Sequence, residues 1–288
     1  MNRVQANLLL LVISLIWGSA FVAQSQGMAD VGPMLFTGVR FLIGSAVVAP
    51  LAWMEWRALG RQGRPLVGGD FGKILGLGLL MLVGAAMQQI GIISTSVTNA
   101  GFLTALYVPL VPLLSWLVLR QLPHWSVWPG ALACLIGAFL LSGAHELHIG
   151  AGDLWVIGSA IPWAVHVLMV GRVADRMAAP FLVASGQFFV CGLIALLWAF
   201  AMEPVSLTGL QAAAWPILYT GVLSVGVAFT AQVVAQRYAQ ASDAAIILSA
   251  ETLFAALFGY LLMGDRLSPA GLFGCGLILL SMLGVQLI

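Results

Sequence analysis

Three ionisable side chains lie deep inside apolar stretches of the sequence, where a charge is costly. Glu251 and His166 lie near the middle of such stretches, and Arg40 lies about two helical turns into another. A charge at the centre of a membrane helix costs about 2.5–3.5 kcal/mol on insertion scales. We interpret the Glu251 carboxyl as a group that faces a substrate cation or carries a proton. The alternatives are neutral Glu251 and His166 side chains that hydrogen-bond neighbouring helices, and a structural clamp, which we favour for Arg40.

Aromatic and amide side chains occupy comparable depths. Trp17 and Trp163 lie too far inside their apolar stretches for the tryptophan belt of a membrane surface. A buried indole offers a flat apolar face to an aromatic or aliphatic group, or to a quaternary cation, and plain packing is the alternative. Amides are costly to leave unpaired in lipid, so they join the candidates. The predicted substrate-binding residues are Trp17, Gln88, Asn99, Tyr107, Trp163, His166, Gln232 and Glu251.

The composition indicates an integral membrane protein. The 288 residues are 61% hydrophobic and 7% charged, with a mean hydropathy of +1.06, whereas soluble domains carry about 25% charged residues. The net charge of +1 does not indicate a nucleic-acid partner. The sequence contains no metal-ligand spacing and no glycine-rich phosphate loop. We therefore expect no metal, no cofactor and no catalytic residues, and the expected partners are lipid and a small-molecule substrate.

The apolar stretches predict an all-α protein with ten membrane-spanning helices, because barrel strands run only about 10 residues. The predicted spans are 7–25, 34–54, 72–94, 98–118, 126–143, 153–173, 181–201, 213–235, 243–263 and 268–286. Basic residues gather on the side of the N-terminus, namely Arg3, Arg57, Arg61, Arg64, Lys73, Arg120, Arg172, Arg176 and Arg237, against Arg266 on the other side. This bias predicts that both termini are cytoplasmic and that a bacterial protein of this kind lies in the inner membrane.

The two halves of the sequence repeat the same order of features. A shift of 144 residues places Gln88 on Gln232 and Tyr107 on Glu251. Each half has five apolar stretches, and an odd number of spans makes the two copies face opposite ways. We predict two inverted five-helix repeats, 1–144 and 145–288, around a central cavity, as in many secondary transporters.

Prolines fall inside the predicted spans, with Pro109 and Pro112 in the fourth and Pro162 in the sixth. A proline leaves the carbonyl four residues earlier without its helical donor. Membrane helices tolerate this where carbonyls line a cavity or where neighbouring helices satisfy them. We predict structural or gating roles for Arg40, Pro109, Pro112 and Pro162.

Three motifs carry a family resemblance. They are Ile16-Trp17-Gly18-Ser19-Ala20-Phe21, then Arg40-Phe41, and then the segment from Glu251-Thr252 through Gly264-Asp265-Arg266-Leu267 to Gly274. The chain resembles the drug/metabolite transporter (DMT) superfamily, in its ten-helix EamA-type branch of bacterial exporters. Thr252 stands where that family usually has proline, and Asp265 where it has glutamate. The resemblance implies a cavity among spans 1, 3, 4, 6, 8 and 9 with alternating access, and it is strongest toward exporters of amino acids, including aromatic ones.

These features lead to one favoured function and two alternatives. We expect a secondary transporter that exports small metabolites, amino acids including aromatic ones, with Glu251 facing an ammonium and amides meeting a carboxylate. An exporter of lipophilic cations would instead use Glu251 and the two indoles. A receptor or intramembrane enzyme is disfavoured, because the sequence has no Ser/His/Asp, paired-Asp or metal set. The exact substrate, proton coupling and the choice between monomer and homodimer stay open.

Overall fold

The computed structural model describes residues 1–141, 150–264, 266 and 268–286, and all regular secondary structure in these ranges is helical. One short helix, Leu207–Ala212, accompanies the longer ones. Asp265, Leu267, residue 288 and the predicted repeat boundary at residue 144 lie outside the described residues. The longer helices are α1 Arg3–Gly27, α2 Pro33–Arg61, α3 Gly68–Ile92, α4 Val97–Leu119, α5 Val127–Leu141, α6 Ala151–Met177, α7 Pro180–Met202, α8 Ala214–Ala235, α9 Ala241–Met263 and α10 Pro269–Gln286.

Eight of these helices, α1 to α4 and α6 to α9, are long and apolar enough to cross a membrane. Their lengths run from 22 to 29 residues, which at about 1.5 Å per residue exceeds the roughly 30 Å of a bilayer core. The helices α5 and α10 contain shorter apolar segments, Val127–Leu141 and Pro269–Gly284. The described residues therefore form a multi-pass helical membrane protein.

The second helix is longer than hydropathy predicts. The predicted span ends at residue 54, whereas α2 continues to Arg61, because its polar last turns are rich in residues that favour helix. The Arg57 guanidinium lies 3.8 Å from the centroid of the Trp53 ring. The Glu55 carboxylate accepts a hydrogen bond of 2.9 Å from the backbone N–H of Leu182 at the start of α7. This end of α2 therefore caps the neighbouring helix instead of forming a loop.

The helices α4 and α9 are interrupted at positions related by the same shift of 144 residues, near Ala105 and Ser249. Pro109 provides no donor for the Ala105 carbonyl, which accepts instead from the Val108 N–H at 2.9 Å. In α9 no proline is needed, because the Ser249 hydroxyl donates to the Ile246 carbonyl at 2.6 Å and so competes with the regular helix bond. Different residues thus break the helix at corresponding places in the two halves.

Wide π-type turns occur in two helices, over Thr220–Phe229 in α8 and over Gly259–Met263 in α9. Such turns are frequent at functional sites, since they rotate the side chains that follow. The helix α6 continues without interruption across Pro162, and the second part of α4 continues across Pro112.

Seven helices surround one central region, namely α1, α2, α3, α4, α6, α8 and α9. The helix α2 packs mainly against α7 and α8, α3 against α6 and α7, and α1 against α8 and α9, whereas α5 packs chiefly against α10. That last pair approaches closely, since a Cβ added at Gly137 would lie 2.6 Å from the Gly274 carbonyl oxygen. Small residues at this contact let the two backbones meet.

Candidate functional site

A cavity lies where α1, α2, α3, α4, α6, α8 and α9 meet. About 50 Å³ of it can be reached by the centre of a water-sized molecule, and at about 10–15 Å³ for each water this holds only a few molecules. It includes six predicted substrate-binding residues and also Arg40, for which we predicted a structural or gating role. The lining residues are Trp17, Phe21, Gln24, Arg40, Gln88, Thr104, Tyr107, Trp163, Val167, Ser224, Phe229, Gln232 and Glu251.

Two predicted substrate-binding residues, Asn99 and His166, are not part of this lining. The Asn99 amide donates to the Asp153 carboxylate at 2.7 Å, and so joins the start of α4 to the start of α6. The His166 Nε2 is 2.8 Å from the Gln187 Oε1 and joins α6 to α7. Their partners lie on other helices, so both side chains join neighbouring helices of the bundle.

An aromatic ring bridges the two cavity indoles. The Phe229 ring centroid is 4.5 Å from that of Trp17. It is 5.7 Å from that of Trp163, and the Phe229 and Trp163 rings are stacked with an interplanar angle of 18°. Phe41 and Phe188 pack against the other sides of Phe229, with centroid distances of 6.0 Å and 6.2 Å. A side chain of the protein, carried at the end of the wide-turn segment of α8, therefore occupies the space between the two indoles.

The two indole N–H groups have different surroundings. Trp17 Nε1 donates to the Ser224 carbonyl at 3.3 Å, within the wide-turn segment. Trp163 Nε1 is buried and has no partner among the described residues. One N–H is thus used to hold α8 against α1, and the other is available to a bound molecule.

Arg40 places a cation at the cavity wall. One guanidinium N–H donates to the Gln24 Oε1 at 2.7 Å, and the guanidinium carbon lies 5.4 Å and 5.1 Å from the ring centroids of Phe36 and Phe41. The Arg40 Nε is buried and has no hydrogen-bond partner among the residues that the structure describes. Within the described part of the chain no carboxylate lies within 4.0 Å of this guanidinium. A neutral amide and aromatic faces therefore support a positive charge that has no counter-ion there.

Glu251 places a carboxyl at the same cavity, and it too lacks an ionic partner. In the ranges that the structure covers, no Lys, Arg or His nitrogen lies within 4.0 Å of it, and its Oε1 is buried without a hydrogen bond. The Tyr107 hydroxyl and the Gln232 Oε1 are also buried, and within the described ranges neither atom has a hydrogen-bond partner. Buried polar atoms without partners are costly, so this set indicates a place for water or a polar ligand.

The glutamines at repeat-related positions both face the cavity. The Gln88 amide donates to the Thr104 hydroxyl at 2.9 Å, which in turn donates to the Ala100 carbonyl at 2.7 Å. The Gln232 side-chain oxygen, by contrast, accepts no hydrogen bond from the described residues. Gln88 is thus held in place, while Gln232 offers an acceptor.

Several residues of the central cavity are not among the predicted substrate-binding residues. Phe229 lies three residues before Gln232, and Gln24 lies seven residues after Trp17, so both share a helix face with a predicted residue. This spacing from a predicted residue was the sequence signal that could have identified Phe229 and Gln24 as cavity residues. Phe21 and Val167 each lie four residues after a predicted tryptophan and so show the same kind of spacing, whereas Ser224 gave no signal, because small residues are common on every face of these helices.

Comparison with known proteins supports a common architecture. A relative from Archaeoglobus fulgidus, named an uncharacterized transporter, is 30% identical over 99% of this chain and 87% of its own length. An S-adenosylmethionine/S-adenosylhomocysteine transporter from Chlamydia trachomatis is 23% identical over 95% of this chain and 86% of its own. A crystal structure of another protein aligns with a TM-score of 0.78 at 20% identity, covering 99% of this chain and 98% of that one, so the two share a fold.

The family comparison covers both halves of the chain. The sequence model of the EamA-like transporter family matches residues 4–143 and residues 150–287. The two ranges include every helix that contributes to the central cavity. The chain belongs to the EamA-like transporter family.

Proposed function

We propose that this membrane transporter exports small zwitterionic metabolites that carry an α-amino acid head group, amino acids including aromatic ones among them. The observation that carries the proposal is that Arg40 and Glu251 line one cavity and that neither has an ionic partner within the described ranges. A substrate carboxylate satisfies the Arg40 cation, and a substrate ammonium satisfies Glu251. Binding of a zwitterion thus neutralises both charges at once.

The remaining cavity atoms suit the rest of such a substrate. The Gln232 oxygen accepts from an ammonium, and the Trp163 N–H and Arg40 Nε donate to a carboxylate. Aromatic rings supply the apolar wall for a substrate side chain. The cavity in the present conformation admits only a few waters. A substrate side chain therefore fits only if the Phe229 ring moves aside or if the surrounding helices separate.

Two other substrate classes bear on this proposal. A lipophilic cation would match the aromatic rings and Glu251 but would meet the like charge of Arg40, so the structure disfavours it. S-adenosylmethionine and S-adenosylhomocysteine, named for a relative, both carry the α-amino acid head group. They extend the proposed class to larger members.

We further propose that the protein has ten spans in two inverted repeats and that both termini are cytoplasmic. It would work by alternating access in the inner membrane of a bacterial cell. Corresponding breaks near Ala105 and Ser249 and the two matched ranges support the repeats. Cysteines introduced at Gln62 and Val205, in the connections after α2 and α7, test the orientation. A membrane-impermeant thiol reagent applied to intact cells should label Val205→Cys and spare Gln62→Cys; the opposite pattern would reverse the topology.

Counterflow in proteoliposomes tests the substrate class. Vesicles loaded with phenylalanine should exchange it for external radiolabelled phenylalanine, and external alanine or S-adenosylhomocysteine should compete. Tetraphenylphosphonium should not compete. Competition by tetraphenylphosphonium with none by the zwitterions would instead favour the cation exporter.

A further inference from the structure

A second cavity lies at the end of the molecule that carries the N-terminus, and we call it the loop cavity. About 380 Å³ of it can be reached by the centre of a water-sized molecule. The Arg3 guanidinium, 2.9 Å from the Asp243 carboxylate, places this region beside the start of the chain. Its lining residues are Ser115, Gln121, Leu122, Pro123, Val167, Leu168, Gly171, Arg172, Gln236, Ala239, Gln240, Ala241 and Ser242.

The loop cavity is a funnel with an exposed rim and a buried floor. At the rim Leu122 is 77% exposed, whereas Val167 and Gln236 at the floor are 4% and 6% exposed. Val167 lines the loop cavity and the central cavity alike. The two spaces are therefore separated at this point by the Val167 side chain and its neighbours.

The charge of the loop cavity is positive. The Arg172 guanidinium donates to the Leu168 carbonyl at 2.7 Å and to the Gln121 Oε1, and the lining contains no Asp or Glu. The helix α9 begins at this wall, where its N-cap residue Gln240 makes no side-chain cap and the acidic residue of its first turn is Asp243. Asp243 lies outside the lining and is paired with Arg3.

Gln236 provides the second polar contact at the floor. Its amide N–H donates to the Val167 carbonyl at 2.9 Å, while its Oε1 is buried and has no partner in the described part of the chain. A buried acceptor of this kind calls for a donor such as an ammonium or hydroxyl group. The cavity thus offers a cation for a carboxylate and an unpaired oxygen for an ammonium.

We propose that the loop cavity is a second substrate site, in which Arg172 binds the carboxylate of the transported zwitterion before it enters the central cavity past Val167. This inference rests on the proposed function. The Gln236 Nε2–H bond to the Val167 carbonyl lies at the floor, and the Oε1 of the same amide can accept from an ammonium without breaking that bond. A substrate approaching from the N-terminal face therefore meets Arg172 first and Arg40 second.

Charge removal at Arg172 tests the site. We expect Arg172→Gln to raise the KM for radiolabelled phenylalanine about tenfold or more, the usual effect of losing a hydrogen bond to a charged group. The increase should appear in vesicles that present the N-terminal face and be absent from vesicles of the opposite orientation. Arg172→Lys should lose less, and Arg176→Gln, an exposed residue one turn away and outside the lining, should match the wild type.

A filling substitution gives an independent test that spares the arginine. Ala239→Trp places a large side chain in the loop cavity and should lower uptake from the N-terminal face, whereas Tyr238→Trp, the adjacent position outside the lining, should not. Unchanged KM in Arg172→Gln, an equal change in Arg176→Gln, or equal effects from both faces would overturn the inference. Absence of phenylalanine flux in the wild type would overturn the proposed function, and the inference with it.

Discussion

Replacing Phe229 by alanine should change which substrates the transporter prefers. The ring contacts Trp17, Trp163, Phe41 and Phe188, and each aromatic pair contributes about 0.5–1.5 kcal/mol. Because these pairs share one buried ring, Phe229→Ala should destabilise the protein by about 3–5 kcal/mol, the usual cost of truncating a buried phenylalanine. The same change opens a slot between the two indoles.

A substrate ring can then take the place of the lost side chain. Contacts with two indoles at about 0.5–1.5 kcal/mol each give about 1–3 kcal/mol, or about 5- to 150-fold in affinity. Phenylalanine should gain by this factor in Phe229→Ala, while alanine, which has no ring, should not. Phenylalanine should also raise the thermal unfolding temperature of this variant more than that of the wild type.

Phe188→Ala is the matched control. Phe188 belongs to the same aromatic cluster, with its ring 6.2 Å from that of Phe229, but it does not line the cavity. The assay is counterflow with phenylalanine and with alanine in the wild type, Phe229→Ala and Phe188→Ala. If the phenylalanine-to-alanine preference is the same in Phe229→Ala as in the wild type, or shifts equally in Phe188→Ala, Phe229 does not occupy the place of a substrate ring.

Three further predictions concern single residues. Glu251→Gln keeps the shape of the side chain and should reduce counterflow at least about tenfold, the loss of one charged hydrogen bond; wild-type flux from well-folded protein would return Glu251 to a structural role. Trp163→Phe keeps a ring but removes the unpaired N–H, so the KM for phenylalanine should rise about 2- to 10-fold, and Trp163→Ala should lose more; equal losses would mean that the N–H contributes nothing. Pro109→Ala supplies the missing donor for the Ala105 carbonyl and should stabilise α4 by up to about 3 kcal/mol, raising Tm while slowing transport, and unchanged transport would show that this break is not needed for motion.

The sequence predicted the polar part of the cavity better than the apolar part. Gln88, Gln232 and Glu251 stand out because a polar group inside an apolar helix needs a partner or a cavity, so its position along the chain alone makes it a candidate. Phe229 does not stand out, because lipid and a packed interior are equally apolar. Trp198, for example, is 57% exposed and Trp17 is 9% exposed, although both lie within apolar helices.

The hydrogen-bond partners of the polar side chains could not be predicted from the sequence, for a different reason. His166 lies deep in its predicted span and Asn99 lies at the start of its own, but Gln187 and Asp153 satisfy them across helix contacts. Which helices touch, and how each is rotated, depends on three-dimensional packing that a list of apolar stretches does not contain. The same packing brings Arg40 to the cavity, where the sequence indicated only a clamp.

The proposed function depends most directly on the pairing of Arg40 with a substrate carboxylate and of Glu251 with a substrate ammonium in one cavity. The decisive measurement compares competition by phenylalanine, by phenylethylamine, which lacks the carboxylate, and by 3-phenylpropionate, which lacks the ammonium, in the wild type, Arg40→Gln and Glu251→Gln. The wild type should prefer phenylalanine over both analogues by about 10-fold or more. Arg40→Gln should abolish only the preference over phenylethylamine, and Glu251→Gln only the preference over 3-phenylpropionate. Equal competition by all three compounds in the wild type, or identical patterns in the two variants, would contradict the account.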